Sequence, residues 1–399
     1  MKKMLLAAIE YPPKIGGVEE YYRSLVQASD GAIHPFTGSE KLFWNGWPRW
    51  LPMLWRIPKE MKRLGTDIVF AGEVLPVGTA VWILSLLRPA LRSFSIGGYG
   101  VFVHGLDLAL TGRKRWIARQ VLSNATWVIT NSEHTKKTVL GYGVDPKKIY
   151  ILTPCPSSAV IANVRHSDTA LAGEESRNRH PGPDQDPIVM DSGQAGMTSE
   201  RIWRFLTVAR FVERKGYDTA VAVVEDLKKR VQAFEWTFIG DGPDKKRIQE
   251  LVQVSGVNDS IRWLDAQTAE TLSREYQRAD LFVFLPRELQ NGDVEGFGMV
   301  CLEAALYGLP VVAANSGGVA EAVLNGVTGV LTSPTDVQKI AHDIIRLMND
   351  SECRKKMGEA GRERVLKDFR WEDRVQQLFQ IIASASNFRD DLSIVGKRR

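Results

Sequence analysis

The sequence predicts an α/β protein built from two domains with parallel sheets, and three observations predict it. Strand-like apolar runs alternate with stretches of helical periodicity, the order that builds parallel sheets covered by helices. The 399 residues, 44% of them hydrophobic, suffice for two cores, since domains commonly hold about 100–200 residues. The strand-to-helix junctions carry paired glycines, at Gly16-Gly17, Gly240-Asp241-Gly242 and Gly296-Phe297-Gly298, where a tight turn needs backbone freedom.

In chain order, Met1 to Ile9 reads as the first strand. Its apolar run has the outline of a signal peptide, but Glu10 stops it and Tyr11-Pro12-Pro13-Lys14 is no cleavage site. After Gly16-Gly17, Val18 to Val26 has helical spacing. Asp67 to Phe70, Thr126 to Thr130, Phe205 to Val208, Trp236 to Ile239 and Leu281 to Leu285 read as buried strands. The longest apolar stretch, Val74 to Leu87, falls short of the roughly 20 residues that span a bilayer and contains Pro76 and Gly78, so a buried helix is expected. Between Asn163 and Glu200 the alternation gives way to polar residues, Gly and Pro, the composition of a flexible insertion. The expected domains are therefore 1–159 and 201–370, joined by a polar linker at 160–200.

The net charge of +5 and pI near 9.0 come without a nucleic-acid motif, and the basic residues are spread along the chain, so nucleic acid is not an expected partner. An anionic membrane surface suits this charge better. Lys41 to Arg56 is dense in tryptophan and cations, as is Thr111-Gly112-Arg113-Lys114-Arg115-Trp116. Such residues suit a bilayer interface, although they could equally cover a core edge or grip a carbohydrate. Three widely spaced cysteines, Cys155, Cys301 and Cys353, make neither a disulfide framework nor a zinc site. The expected location is the cytoplasm, at the inner face of the cytoplasmic membrane.

The chemistry concentrates between Gly292 and Pro310. The strand at 281–285 precedes it, and Phe297 to Tyr307 has helical spacing ending at Gly308-Leu309-Pro310. Glu295 then lies in the loop at the helix mouth and Glu303 lies inside the helix. Free N–H groups at a helix N-terminus favour a phosphate, and Gly296 and Gly298 let it approach. The two carboxylates, about a turn and a half of helix apart at roughly 1.5 Å per residue, flank such a diphosphate and can accept hydrogen bonds from hydroxyls on either side. A nucleotide-diphospho-sugar has that layout. Any solvated acidic helix could supply the same spacing, but the preceding strand, Gly-Phe-Gly and the run Val311 to Val323 argue for a site.

This stretch resembles the E-x7-E motif of retaining glycosyltransferases of family 4, which have the GT-B fold. The resemblance covers nearly the whole chain. It implies two Rossmann-like domains facing each other across a cleft, an acceptor site in the first, a nucleotide-sugar site in the second, a helix at 371–386 crossing back onto the first, and a basic tail at 387–399. It also implies catalytic roles for His104, in a His-Gly-x-Asp segment, and for Arg210, Lys215 and Glu295. Donor contacts are implied for Gly16, Gly17, Gly240, Gly242, Gly296, Phe297, Gly298, Met299, Val300 and Glu303. Arg210 and Lys215 would neutralise the departing diphosphate, so neither a metal nor a cofactor is expected. The alternative dinucleotide reading of Gly240-x-Gly242 fails because Lys245 stands where the third glycine belongs.

The Gly-Asp-Val-Glu-Gly form is most similar to bacterial phosphatidylinositol mannosyltransferases. This implies a GDP-mannose donor, within a broader expectation of a GDP- or UDP-sugar of mannose or glucose type and a glycan or lipid-linked acceptor. A GT-B sugar-nucleotide epimerase and a noncatalytic nucleotide-sugar scaffold are the competing readings. Two departures stand out. Thr153-Pro154-Cys155-Pro156-Ser157 replaces a common Asn-Gly-Val-Asp before the linker, and Ala320 replaces a common proline. Asn131-Ser132-Glu133-His134-Thr135 matches a family turn, although its serine could only cap the next helix.

Overall fold

The computed structural model of the chain describes residues 3–11, 16–44, 48–87, 97–105, 108–164, 201–231 and 233–395, with the backbone alone at 39, 40 and 385–395. Two six-stranded sheets, parallel throughout, organise it, as the α/β reading expects. The first holds β1 (Met4–Ala8), β2 (Ile33–Thr37), β3 (Ile68–Ala71), β4 (Gly98–Val103), β5 (Trp127–Thr130) and β6 (Ile149–Ile151) in the order β2-β1-β3-β4-β5-β6. The second holds β7 (Trp203–Val208), β8 (Phe234–Ile239), β9 (Ile261–Leu264), β10 (Leu281–Phe284), β11 (Val311–Ala314) and β12 (Gly329–Thr332) in the order β12-β11-β10-β7-β8-β9.

Central strands are apolar because helices cover both faces of a parallel sheet. All five residues of β1 are buried, with Leu5 opposite His34 on one side and Val69 on the other. The edge strand β2, Ile33-His34-Pro35-Phe36-Thr37, breaks that pattern and escaped the sequence reading; a proline is tolerated only at such an edge. Each sheet reverses its direction of growth once, between β1 and β3 and between β7 and β10. Ligands of open α/β sheets bind outside the strand C-termini at such a reversal.

The helices that shape the site are α1 (Gly17–Ala28), α2 (Met53–Leu64), α3 (Thr79–Leu87), α4 (Gly112–Asn124), α5 (Glu133–Leu140), α6 (Met299–Leu306) and α7 (Trp371–Val395). The apolar stretch 74–87 forms a turn and then α3, whose end leaves Leu86 and Leu87 exposed instead of burying the whole run. Helix α7 crosses back onto the first sheet. Trp371 Nε1 donates to the Pro156 carbonyl at 2.8 Å, Arg374 Nε to Thr153 at 3.0 Å, and Gln377 Nε2 to Ile151 at 3.1 Å, while Trp127 Nε1 donates to Ile381 at 3.2 Å. The departure at Thr153 to Ser157 thus supplies carbonyls that receive the crossing helix. One apolar cluster runs continuously from Tyr21, Phe102 and Trp127 through Trp371 and Phe369 to Phe297 and Phe284.

Two expected boundaries shift. Residues 158–164 are helical and bury Val160 and Val164, so the expected linker begins inside a packed helix; its remainder, 165–200, lies outside the described residues. Helix α7 runs to Val395, well into the stretch 387–399 expected as a tail. Residues 396–399 lie outside the described residues.

Candidate active site

The second sheet's reversal point brings together the loops after β7 and β10. Val212 leads into a tight turn, Glu213–Lys215, closed by Gly216 at φ +70°. A side chain at Gly216 would meet the Leu285 carbonyl at 1.9 Å, so only glycine lets the two loops close on each other. Lys215 Nζ then lies 4.8 Å from the centre of the Phe284 ring and 2.5 Å from Glu295 Oε2. Arg214 Nη1 donates to the same oxygen at 2.6 Å, and its Nε pairs with Asp293 at 3.2 Å. Arg210, by contrast, is exposed and carries no ion pair among the described residues.

Burial pushes the Glu295 carboxyl up, but the charges of Lys215 and Arg214, and then their hydrogen bonds, outweigh it and hold the pKa down to about 2. Burial lowers the Lys215 pKa while Glu295 opposes it. Glu295 is therefore ionised at neutral pH.

Glu303 meets a different environment on α6. It is 8% exposed, accepts a long hydrogen bond from the Ser157 N–H at 3.4 Å and another from the Tyr276 hydroxyl at 3.3 Å. No cation faces it in a salt bridge among the described residues. Burial pushes its pKa up to about 7, against the pull of the Ser157 and Tyr276 hydrogen bonds. A carboxyl in this state both donates and accepts at neutral pH.

The first domain presents His104 at the end of β4. Its ring lies 5.0 Å from Tyr21 and 5.2 Å from Tyr22, both edge-on, and 6.4 Å from Phe102 in a stack. Although the residue as a whole is half-buried, this aromatic wall makes burial push the imidazole down to about 3, so the ring is neutral at pH 7. Asp107, the other polar member of the segment, lies outside the described residues.

The two domain edges meet closely. A Cβ on Gly296 would stand 2.8 Å from the His104 carbonyl oxygen and 2.7 Å from Asn131 Nδ2, and one on Gly17 would stand 3.3 Å from Met299 Cε. Glu321 accepts the backbone N–H groups of Glu133 at 2.8 Å and His134 at 3.1 Å, joining the second domain to the start of α5. Ser132 caps that helix through Thr135 N at 3.0 Å.

Several expected site residues thus have a packing reason for their identity. Gly296 is glycine because the opposite domain occupies the space a side chain would need. Gly240 and Gly242 sit against the carbonyls of Ala209 and Phe211, at 2.0 and 2.4 Å from their built Cβ atoms. Gly298 precedes α6 at φ +90°. At Gly16, by contrast, a Cβ would meet only the movable Glu19 carboxylate, so packing does not demand glycine there. The Phe297 side chain packs in the core, 6.2 Å from Phe369, so only its backbone is available to a ligand; Met299 and Val300 remain partly exposed.

The loop that carries Glu295 and its two cations thus meets, at Gly296, the His104 end of β4 in the first domain. The family description Glycosyl transferases group 1 matches residues 198–364, and Glycosyltransferase Family 4 matches residues 27–155. The GDP-mannose-dependent alpha-(1-6)-phosphatidylinositol monomannoside mannosyltransferase of Mycobacterium tuberculosis is 34% identical over 391 residues, 93% of this chain and 96% of that protein. The chain belongs to glycosyltransferase family 4. A Mycolicibacterium smegmatis protein of the same description is 32% identical over 215 residues, 52% of this glycosyltransferase and 56% of that relative. The structure of Anabaena HepE in complex with UDP and glucose superposes with a TM-score of 0.70 at 16% identity, covering 96% of this chain and 100% of the other. The fold is GT-B.

Sequence reasoning missed Arg214, Tyr22, Ser157, Tyr276 and Glu321. Arg214 had a signal, its place beside Lys215 in one basic turn. Tyr22 had a weaker one, following the diglycine on the first helix. Ser157, Tyr276 and Glu321 had none, because each reaches its partner only through the packing of distant segments.

Proposed function

We propose that this glycosyltransferase moves a mannose, with retention at the anomeric carbon and without a metal, from GDP-mannose to a hydroxyl of a lipid-linked acceptor. The observation that carries the proposal is the Arg214–Lys215–Glu295 cluster at the mouth of α6, next to Gly296, which meets the His104 carbonyl of the first domain. The similarity to mannosyltransferases over nearly the full chain supports the donor and acceptor classes.

Glu295, ionised and held by two cations, receives hydroxyls of the hexose, while Glu303 serves the ribose. The exposed Arg210 and the nearby Lys215 neutralise the diphosphate as the anomeric C–O bond breaks. The acceptor oxygen forms the new bond on the same face, and its proton passes to the departing diphosphate. His104, neutral, hydrogen-bonds the sugar near the developing charge. Domain closure excludes water, which would otherwise compete with the acceptor.

The acceptor is met at a membrane surface. Among the described residues no helix is long and apolar enough to cross a membrane. The neighbouring helices α2, α3 and α4 instead expose Trp55, Leu86 and Trp116 beside Arg113 and Lys114. Indoles and cations together favour an anionic bilayer interface.

The test supplies GDP-mannose or UDP-glucose, with a chelator present, to the protein on vesicles containing phosphatidylinositol glycolipids, and reads the anomer of the product. An α-mannosyl lipid supports the proposal. Transfer from UDP-glucose alone refutes the donor, an epimer formed without acceptor refutes the reaction, and binding without turnover on any acceptor favours a scaffold.

A further inference from the structure

At the end of β4 in the first domain, His104 meets a hydroxyl whose proton is already committed. Tyr22 is fully buried on α1, and its phenol oxygen lies against the Gly72 carbonyl and 2.7 Å from His104 Nε2. A carbonyl oxygen only accepts, and two oxygens in so close a contact repel unless a proton lies between them. A phenol has one proton. With that proton on the path to Gly72, the tyrosine oxygen has only lone pairs to offer the histidine. The hydrogen of the second contact therefore comes from the ring, at Nε2. A neutral imidazole carries a single N–H, so Nδ1 has none.

The partner carbonyl does not move easily. Gly72 follows β3, and its N–H donates to the Ala7 carbonyl of β1 at 2.8 Å. A Cβ on Gly72 would stand 2.6 Å from the Ala8 Cβ and 3.2 Å from the Tyr22 ring, so the backbone is closely packed against both. The reversal point of the first sheet thus sets where the Tyr22 proton goes, and Tyr22 passes that choice to His104.

We propose that Tyr22 is a positioning residue that locks His104 in the Nε2–H tautomer, so that a sugar hydroxyl reaching Nδ1 must donate its own hydrogen. The effect on turnover rests on His104 touching the sugar, as the proposed function has it; the tautomer does not. An Nδ1 acceptor orients a donor hydroxyl in one sense only, which favours a single rotamer of that hydroxyl in the bound sugar.

The test uses the full chain with 15N-labelled histidine, and the six histidines include one identified by loss of its signal in His104→Gln. Long-range 1H–15N spectra distinguish the two tautomers directly. The expected pattern for His104 is Nε2–H, unchanged from about pH 6 to about pH 8; an Nδ1–H pattern, or a mixture of the two, overturns the proposal. The wild-type spectrum needs no substitution at Tyr22, so misfolding of a variant cannot shelter the idea. Tyr22→Phe is expected to mix the tautomers and lower kcat about tenfold while the donor KM stays within about twofold. A Tyr22→Phe enzyme with one Nε2–H tautomer and full kcat overturns the positioning role. Full turnover in His104→Ala would refute the sugar contact of the proposed function, and the wild-type spectrum would still decide the tautomer.

Discussion

Glu295 and Glu303 are separated by seven residues, yet they occupy opposite chemical worlds. Glu295 is bracketed by Lys215 and Arg214, which hold its pKa down to about 2. Glu303, eight positions on, faces a backbone N–H and a phenol, and burial lifts its pKa to about 7. A motif written as two equal acids is in the folded protein a permanent anion beside a carboxyl that holds its proton near neutrality. One acid in the loop and one inside α6 thus owe their positions to the local chain, whereas the segments packed against them decide their charge.

The largest effect expected from this contrast is at Glu295. Glu295→Gln leaves the largely buried Lys215 without its anion and Arg214 with Asp293 alone, and breaking a buried pair from one side costs about 3–5 kcal/mol. Denaturant unfolding should show that loss, together with a fall in kcat/KM. Equal destabilisation by Glu303→Gln would erase the contrast.

Next in size is the pH dependence, in which the two groups act in opposite directions. The folded-state pKa of Glu303 lies above its ordinary 4.5, so its contribution to stability is full below that value and is lost as pH rises through about 7. The loss is on the order of 3 kcal/mol at most. Glu295, with its pKa below 4.5, contributes stability that is present above 4.5 and is lost as pH falls through about 2. Glu303→Gln should flatten the unfolding free energy between about pH 5 and about pH 7, and an unchanged slope would show that Glu303 is not the titrating group.

Arg210 sharpens the comparison from the cation side. It is exposed, so Arg210→Ala should leave stability within about 0.5 kcal/mol. Turnover should nonetheless fall about 100-fold, the usual loss for one donor to a developing charge. Full turnover with bound donor would remove Arg210 from the mechanism. The smallest effect is expected outside the cleft. Trp116→Ser should weaken binding to anionic vesicles about tenfold without altering turnover on a water-soluble acceptor analogue, as a flotation assay would show. Equal binding by the variant would move the membrane face elsewhere.

Much of this architecture was legible in the sequence. β1, β3, β5, β7, β8, β10 and β11 are apolar runs because both faces of their sheets are covered, and Gly296-Phe297-Gly298 marked the start of α6 within two residues. The edge strand β2 was not legible, since Pro35 and His34 give it neither alternation nor an apolar run. Of the candidate site, the two glutamates stood out by their spacing around a helix mouth that follows a strand, and His104, Arg210 and Lys215 by their resemblance to family motifs. The reason for Gly296 did not: it lies in the His104 carbonyl and the Asn131 amide, contributed by another domain.

Two parallel-sheet domains, the family and the identity of the polar groups near the strand ends all follow from the order of the amino acids. The protonation and the partners of those groups arise only in the fold. Lys215 lies 80 residues before the carboxylate it neutralises, and Ser157 lies 146 before the carboxyl it meets. Apolar periodicity is a local property that follows from which face of a strand or helix is buried. The charge of a buried acid is not local, because it depends on how completely water is removed and on whether a cation takes its place, and both are set by segments that meet only when the chain has folded.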